Sequence, residues 1–199
     1  MPLPSPHVSG IKMKLSNSHD EIDLLDLRRA FGRFGTGVTV ITTSTTDGAR
    51  AGVTANSFNT VSLDPPIVLW SLAGTSPSLE MFRTSGHFAV NVLALEQIEL
   101  SRKFSCASED KFAGVAFTDG LQGAPLLADC AATIECAVTN EHIVGDHVLF
   151  LGRVVRYAHA NAAPLLFFNG KYMQGADLDA PLSARSLSRT APALLTQSA

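Results

Sequence analysis

The sequence is poor in cysteine and in long apolar runs, and it has no excess of basic charge. Cys106, Cys130 and Cys136 are an odd set without a Cys-x-x-Cys pair. That argues against a disulfide framework and a zinc site, and reads as reduced thiols packed in the interior. No apolar run approaches the roughly 20 residues needed to cross a bilayer, and Met1 to Asp20 lacks the continuous apolar stretch of a secretory signal. A cytoplasmic location without membrane attachment is the expectation. The 15 basic and 18 acidic residues are mixed along the chain, for a formal net charge of −3, so no basic face is present to track phosphates and nucleic acid is not an expected partner.

What is present suits one domain of 199 residues with enough apolar content for a single core. Residues 1–19 mix Pro, Ser, Asn and His without period and read as a flexible leader, with a domain over 20–175 and a tail over 176–199. Ser18 and Glu21 have capping-box spacing, and Leu24, Leu27, Phe31 and Phe34 form an apolar stripe on a helix of about four turns. The period then changes. Val38 to Thr43 is β-branched, Asp47-Gly48 is a hairpin turn, and a return strand starts near Arg50.

Asp64-Pro65-Pro66 breaks the chain before an apolar strand at Ile67 to Leu72, and Ser76-Pro77 has the form of a helix start. A strand at His87 to Leu93 and a helix at Leu95 to Phe104 follow, and residues 105–130 read as a long loop or lid. Strands at Ala132 to Asn140 and His147 to Tyr157 flank Gly145-Asp146, and Pro164 to Tyr172 gives a last short strand and turn. Six or so strands joined by hairpins, with a few flanking helices, predict a mainly β protein built as a closed or nearly closed antiparallel barrel.

Five blocks carry a resemblance. They are Arg33 to Thr43; Gly52-Val53-Thr54-Ala55-Asn56-Ser57-Phe58 with Ser62 to Pro66; His87 to Leu93; Gly145-Asp146-His147 with Gly152-Arg153-Val154; and Phe168-Asn169-Gly170-Lys171-Tyr172. In this order and spacing the chain, from about Asp23 to Tyr172, resembles the short-chain flavin reductases, the reductase components of two-component flavin-dependent aromatic monooxygenases. The resemblance implies a six-stranded FMN-binding split barrel, a homodimer with flavin near its interface, FMN or FAD as flavin, and NADH or NADPH as electron source. It also implies a partner monooxygenase that receives reduced flavin by diffusion.

Hydride transfer between nicotinamide and flavin needs no protein nucleophile, so the absence of a catalytic triad is no objection. The two rings must stack about 3–3.5 Å apart, which suits a groove of small and polar residues. By the resemblance, Thr54, Ala55, Asn56 and Ser57 run beside the flavin; on their own they read as a solvent-facing strand. Ser71, Ser76 and Ser78 fall where relatives hold the phosphate, although Ser76 is equally a plain helix cap. Gly74 to Pro77 lacks the basic residue of many relatives, which makes Lys111 the candidate cation. Asn91, polar amid apolar neighbours, is a further flavin candidate, with backbone partners as its alternative.

His147 is the candidate for positioning the nicotinamide nucleotide, against the plainer reading of a histidine bonded to Asp146 at a strand start. His142 and His147 with Glu141 and Asp146 make a weak metal pattern, and no metal is expected. Tyr172 is either an aromatic lid over the cofactor or barrel packing, and Phe104, Phe112 and Phe117 shape the same mouth. Gly32, Gly35 and Gly37 follow a helix and do not form a dinucleotide fingerprint, so nicotinamide binds without a Rossmann fold. The function expected is NAD(P)H-dependent flavin reduction. The alternatives are a non-catalytic flavin-binding module and a split-barrel oxidase of the pyridoxamine-phosphate type, which the scarcity of clustered basic residues disfavours.

Overall fold

The computed structural model describes residues 22–108 and 110–179. The leader, the Ser18–Glu21 capping box and all but the first four residues of the tail lie outside the described residues. The first helix, α1 (Leu24–Phe31), is capped by the Asp23 carboxylate, which accepts from the amides of Leu25 at 2.9 Å and Asp26 at 3.3 Å. It runs for eight residues instead of the expected four turns, ending at Gly32. None of its residues is buried, and Leu24, Leu25 and Phe31 of its apolar stripe are exposed.

Twelve strands follow: β1 (Thr36–Gly37), β2 (Thr39–Ser44), β3 (Arg50–Ala55), β4 (Asn59–Leu63), β5 (Pro66–Ala73), β6 (His87–Val92), β7 (Phe117–Asp119), β8 (Pro125–Leu127), β9 (Ala132–Val144), β10 (His147–His159), β11 (Leu165–Phe168) and β12 (Lys171–Gln174). Helices α2 (Leu79–Ser85) and α3 (Ile98–Ser105) interrupt them. The main sheet is antiparallel and has seven strands in the order β3-β2-β6-β9-β10-β5-β4, where six were expected. The added strand is β4, whose Asn, Thr and Ser content hides it from a hydrophobic pattern.

The edges of this sheet, β3 and β4, are consecutive in sequence and joined by Asn56, Ser57 and Phe58 alone. A link that short spans about 14 Å at full stretch, so the sheet must roll until its edges almost meet. No ladder joins β3 to β4, which leaves the barrel open along one seam.

Alternation divides each barrel strand between two faces. Val68, Trp70 and Leu72 of β5 and Val148 and Phe150 of β10 point into the barrel. There Trp70 stacks on Phe150 at 5.0 Å and meets Phe82 of α2 edge-on at 4.9 Å. On β2, Ile41 joins this inner cluster, while Val40, with Val38 just before the strand, joins a second one with Leu93, Phe104, Leu127 and Leu165 under α3 and the C-terminal hairpin. Ser71 of β5 and His147 and Leu149 of β10 therefore lie on the outer face.

Two local expectations are corrected. Helix α2 starts at Leu79 with Ser78 in the cap position, because Ser76 and Pro77 are used by the preceding turn, where the Ser76 amide bonds to Ala73 O at 2.9 Å. Residues 105–130 are not structureless: β7 and β8 pair with each other there. A single 3-10 turn, Leu121–Gly123, joins the pair and is held by Glu135 of β9. That carboxylate is buried; it accepts the Leu121 amide at 2.5 Å and two donors of Arg156, at 2.5 and 2.7 Å. Among the described residues no helix is long and apolar enough to cross a membrane.

The Arg156 hydrogen bonds, with the Leu121 amide, hold Glu135 below its ordinary carboxyl value despite the opposing effect of burial. A carboxyl depressed on folding contributes stability that is complete above its unfolded value and is lost as the pH falls through its folded value. Glu135→Gln is therefore expected to be less stable than the wild type near neutral pH by about 1.5–3 kcal/mol. The gap should close on acidification below the ordinary carboxyl range. Urea unfolding at neutral and acidic pH measures this; a gap that persists unchanged in acid assigns the loss to packing and not to the charge.

Candidate functional site

One hydroxyl ties the link between β3 and β4 to β5 beside the seam. Ser57 stands opposite Ser71, continuing the β4–β5 register of Asn59 with Leu69. Its Oγ accepts the Ser71 amide at 3.0 Å and donates to the Ser71 carbonyl at 3.1 Å. A side chain thus extends the β4–β5 pairing into the link where the chain turns from β3 toward β4. The Ser57 hydroxyl, expected on flavin, is spent on this bridge.

The outer surface beside the seam is a groove of about 280 Å³ walled by Val53 to Ser57, Ser71 to Ala73 and His147. Thr54 sits in its wall, with its hydroxyl donated to the Ser101 carbonyl of α3 at 2.6 Å, so it fixes the helix against β3. What the wall presents is the backbone edge, the small Ala55 and the exposed Asn56. Thr39 contributes from within, donating to Ala55 O at 2.7 Å. Past Ser71 and His147 the groove opens onto an apolar shelf of Phe31, Val144 and Leu149. Sequence reading did not select this shelf, because its three residues come from α1, β9 and β10.

His147 pairs in the sheet with Ala73 and Val144 and is half-exposed. Its Nδ1 lies 2.7 Å from Asp146 Oδ1, and the His147 hydrogen bond and charge hold that carboxyl below its usual range. With Nδ1 donating, Nε2 is the acceptor of the neutral ring and a second donor when protonated. The bond to Asp146 of the plain reading is present, and it orients a ring that also lines the groove.

At the far end of β3 lies Lys111. Its Nζ donates to the carbonyls of Gly52 at 3.1 Å and Phe104 at 3.0 Å, which uses two of its three N–H groups. Burial pushes the ammonium below its ordinary value, and no carboxylate among the described residues pairs with it. A half-buried cation without a counter-ion suits an anionic ligand. Gly52 permits this arrangement: a Cβ there would fall 2.4 Å from the Phe104 ring, which lies directly on the strand. A glycine inside a strand was the available signal.

Other predicted residues are placed elsewhere. Asn91 is fully buried; its Nδ2 donates to Val40 O at 3.0 Å and Thr42 Oγ1 at 3.1 Å, and its Oδ1 accepts the Leu127 amide at 2.8 Å. It ties β2, β6 and β8 together and leaves nothing for a flavin, so its backbone alternative holds. Tyr172 bonds through its hydroxyl to Ser101 Oγ at 2.9 Å and packs edge-on to Phe167 at 5.6 Å. Its β12 position delivers it to α3, beside the Ser101 that also receives Thr54. Ser76 Oγ accepts the Ser78 amide at 3.4 Å within the turn, and Ser78 lines a separate cavity beyond Lys111. Phe104 is buried under Gly52, Phe112 reaches that cavity, and Phe117 lies under Arg50 at 5.0 Å.

With this geometry in place, the comparisons are direct. The family model described as flavin reductase like domain matches residues 31–176, and the chain belongs to that family. The reductase component of a flavin-dependent trigonelline monooxygenase from Acinetobacter baylyi is 41% identical over 147 residues, covering 74% of this chain and 47% of that protein. An FMN reductase (NADH), SmoA, from Agrobacterium fabrum is 40% identical over 73% of this chain and 82% of its own length. The solved structure of the NADH:FAD oxidoreductase SgcE6 from Streptomyces globisporus superposes with a TM-score of 0.77 at 34% identity, covering 84% of this chain and all of the other. The chain spans about half the length of the first curated relatives it matches.

The bridge at the seam can be tested alone. Ser57→Ala leaves both backbone groups of Ser71 without their partner, and is expected to cost about 1–3 kcal/mol in urea unfolding. Flavin affinity should weaken with it, because the groove wall is no longer pinned.

Proposed function

We propose that this chain is an NAD(P)H-dependent flavin reductase that supplies reduced flavin to a partner monooxygenase. The observation that carries the reading is the groove itself. A wall of small residues along the outer edge of β3 faces an oriented histidine, His147, across the groove, and further back on the same strand Gly52 O holds the ammonium of Lys111, which has no carboxylate partner among the described residues. The residues present fit a phosphorylated flavin, with backbone amides and small side chains at Val53 to Asn56 for the ring and Lys111 for the phosphate. Family membership supports the same reading, and relatives carry names of reductase components and of NADH-dependent flavin reductases.

When bound there, the flavin supplies the hydride-accepting centre and the nicotinamide the donor. The chain's part is positional and electrostatic. Ala55 and Asn56 keep the wall low enough for two stacked rings. Ser57 and Thr54 hold that wall in place from behind, one through Ser71 and the other through α3. His147 lies at the open side, where its Nε2 can bond to the amide or phosphate of the incoming nucleotide, and Asp146 sets its orientation. The shelf of Phe31, Val144 and Leu149 gives the nucleotide a dry face beside it.

The exposed apolar residues of α1, Leu24 and Leu25 with Phe31, and those of the β9–β10 tip, Ile143 and Val144, support a homodimer in which a second copy covers this side. Light scattering of the purified chain reads the assembly.

The central test follows NADH and NADPH oxidation with FMN, FAD or riboflavin added in turn. Flavin-dependent oxidation is expected. Flavin binding without oxidation by either nucleotide would leave a binding module and overturn the reductase. In the active enzyme, His147→Ala is expected to raise the nucleotide KM about tenfold, some 1.4 kcal/mol, with flavin affinity little changed. An unchanged KM removes His147 from the nucleotide site.

A further inference from the structure

A small pocket of about 190 Å³ shares no residue with the groove. It lies where the end of β2, the end of α2, the start of β6 and the 3-10 turn meet, and every residue that lines it is polar. His87 and Ser44 are its buried members, at 2% and 3% exposure. A histidine this deep must have both ring nitrogens satisfied.

Counting protons shows that one is not. His87 Nδ1 lies 2.8 Å from the Ser85 carbonyl, an acceptor only, so Nδ1 carries the proton and Nε2 of the neutral ring is an acceptor. Nε2 faces Ser44 Oγ at 3.4 Å, but the Ser44 proton goes to the Gln122 carbonyl at 2.8 Å. Two lone pairs therefore converge with no proton between them. The other hydroxyls around them are spent in the same way. Thr45 donates to the Asp47 carboxylate, Thr84 to Glu80 O at 2.8 Å, and Ser85 to His87 O at 3.1 Å. Their oxygens keep lone pairs for a ligand, and the Gln122 amide oxygen can add another.

The charge has one sign. No lysine or arginine lines the pocket, and the Asp47 carboxylate, bonded to Thr45 beside it, has no cationic partner among the described residues. Convergent acceptors next to an unpaired carboxylate suit a compact cation that donates hydrogen bonds.

We infer that this pocket binds a small primary ammonium group, of the size of ammonium or methylammonium, with one N–H on His87 Nε2 and another on Ser44 Oγ. Its occupant would join the β2–β3 hairpin, α2 and the 3-10 turn. The site is independent of the flavin reading, and its failure would leave that reading intact.

Nitrogen-15 spectra of the full chain at mildly alkaline pH test it. Ammonium chloride and methylammonium chloride are expected to give saturable shifts of the Ser44, His87 and Gln122 amides and of the His87 Nε2 resonance. Tetramethylammonium chloride at equal ionic strength, with the same charge and no N–H, should give none. His87→Phe is expected to weaken ammonium binding about tenfold or more. The comparison of salts on the wild type stands even if that variant does not fold. Equal shifts with tetramethylammonium, no saturation with any of the salts, or a His87 Nε2 that already carries a proton before ammonium is added would each overturn the inference. So would a folded His87→Phe that binds as the wild type does.

Discussion

A seven-stranded sheet whose two edge strands are neighbours in sequence cannot lie flat. The three residues between β3 and β4 force those edges together, and every other feature of the molecule follows from that closure. The inner faces of β2, β3, β5, β6, β9 and β10 are brought around one cluster centred on Trp70, Phe82, Phe88 and Phe150. The outer faces near the seam are left as a groove, because no strand fills the gap. Ser57 then fixes the link between the two edges to β5 with two hydrogen bonds beside the gap.

The supports of the groove come from distant parts of the chain, and hydrogen bonds to backbone carry most of them. Thr54 takes a carbonyl of α3, Tyr172 takes a hydroxyl on the same helical turn, and Lys111 clasps β3 and α3 at once. Such bonds keep small side chains in fixed rotamers without adding bulk, which is what a site for flat, stacked rings requires. On the same outer face Asn91 does equivalent work between β2, β6 and β8.

Much of the fold was legible because local chemistry agreed with it. Asp47-Gly48 and Gly145-Asp146 mark two real hairpins, and Val68, Trp70 and Leu72 alternate as a half-buried strand should. What was not legible depended on partners far away in sequence. No local pattern distinguishes a Thr54 hydroxyl that meets flavin from one that meets a carbonyl 47 residues later. The same holds for Tyr172, which reads as a lid until β12 is seen to deliver it to Ser101. Strand β4 was missed because exposed Asn59 and Thr60 carry no hydrophobic signal, and α1 was drawn too long because its stripe continues beyond the Gly32 stop. The motif blocks located the groove, but which of their side chains face it was decided by pleat and register.

One feature of the pleat separates two kinds of selection. Along β5 and β10, the residues that hold the barrel together and the residues that line the groove alternate, one facing in and the next facing out. Exchanging Ser71 or Leu149 alters the chemistry of the surface while Trp70 and Phe150, their immediate neighbours, keep the core packed. A fold arranged this way can change the ligand it prefers through single substitutions that its stability scarcely registers, so long as the hydroxyl at position 57 remains.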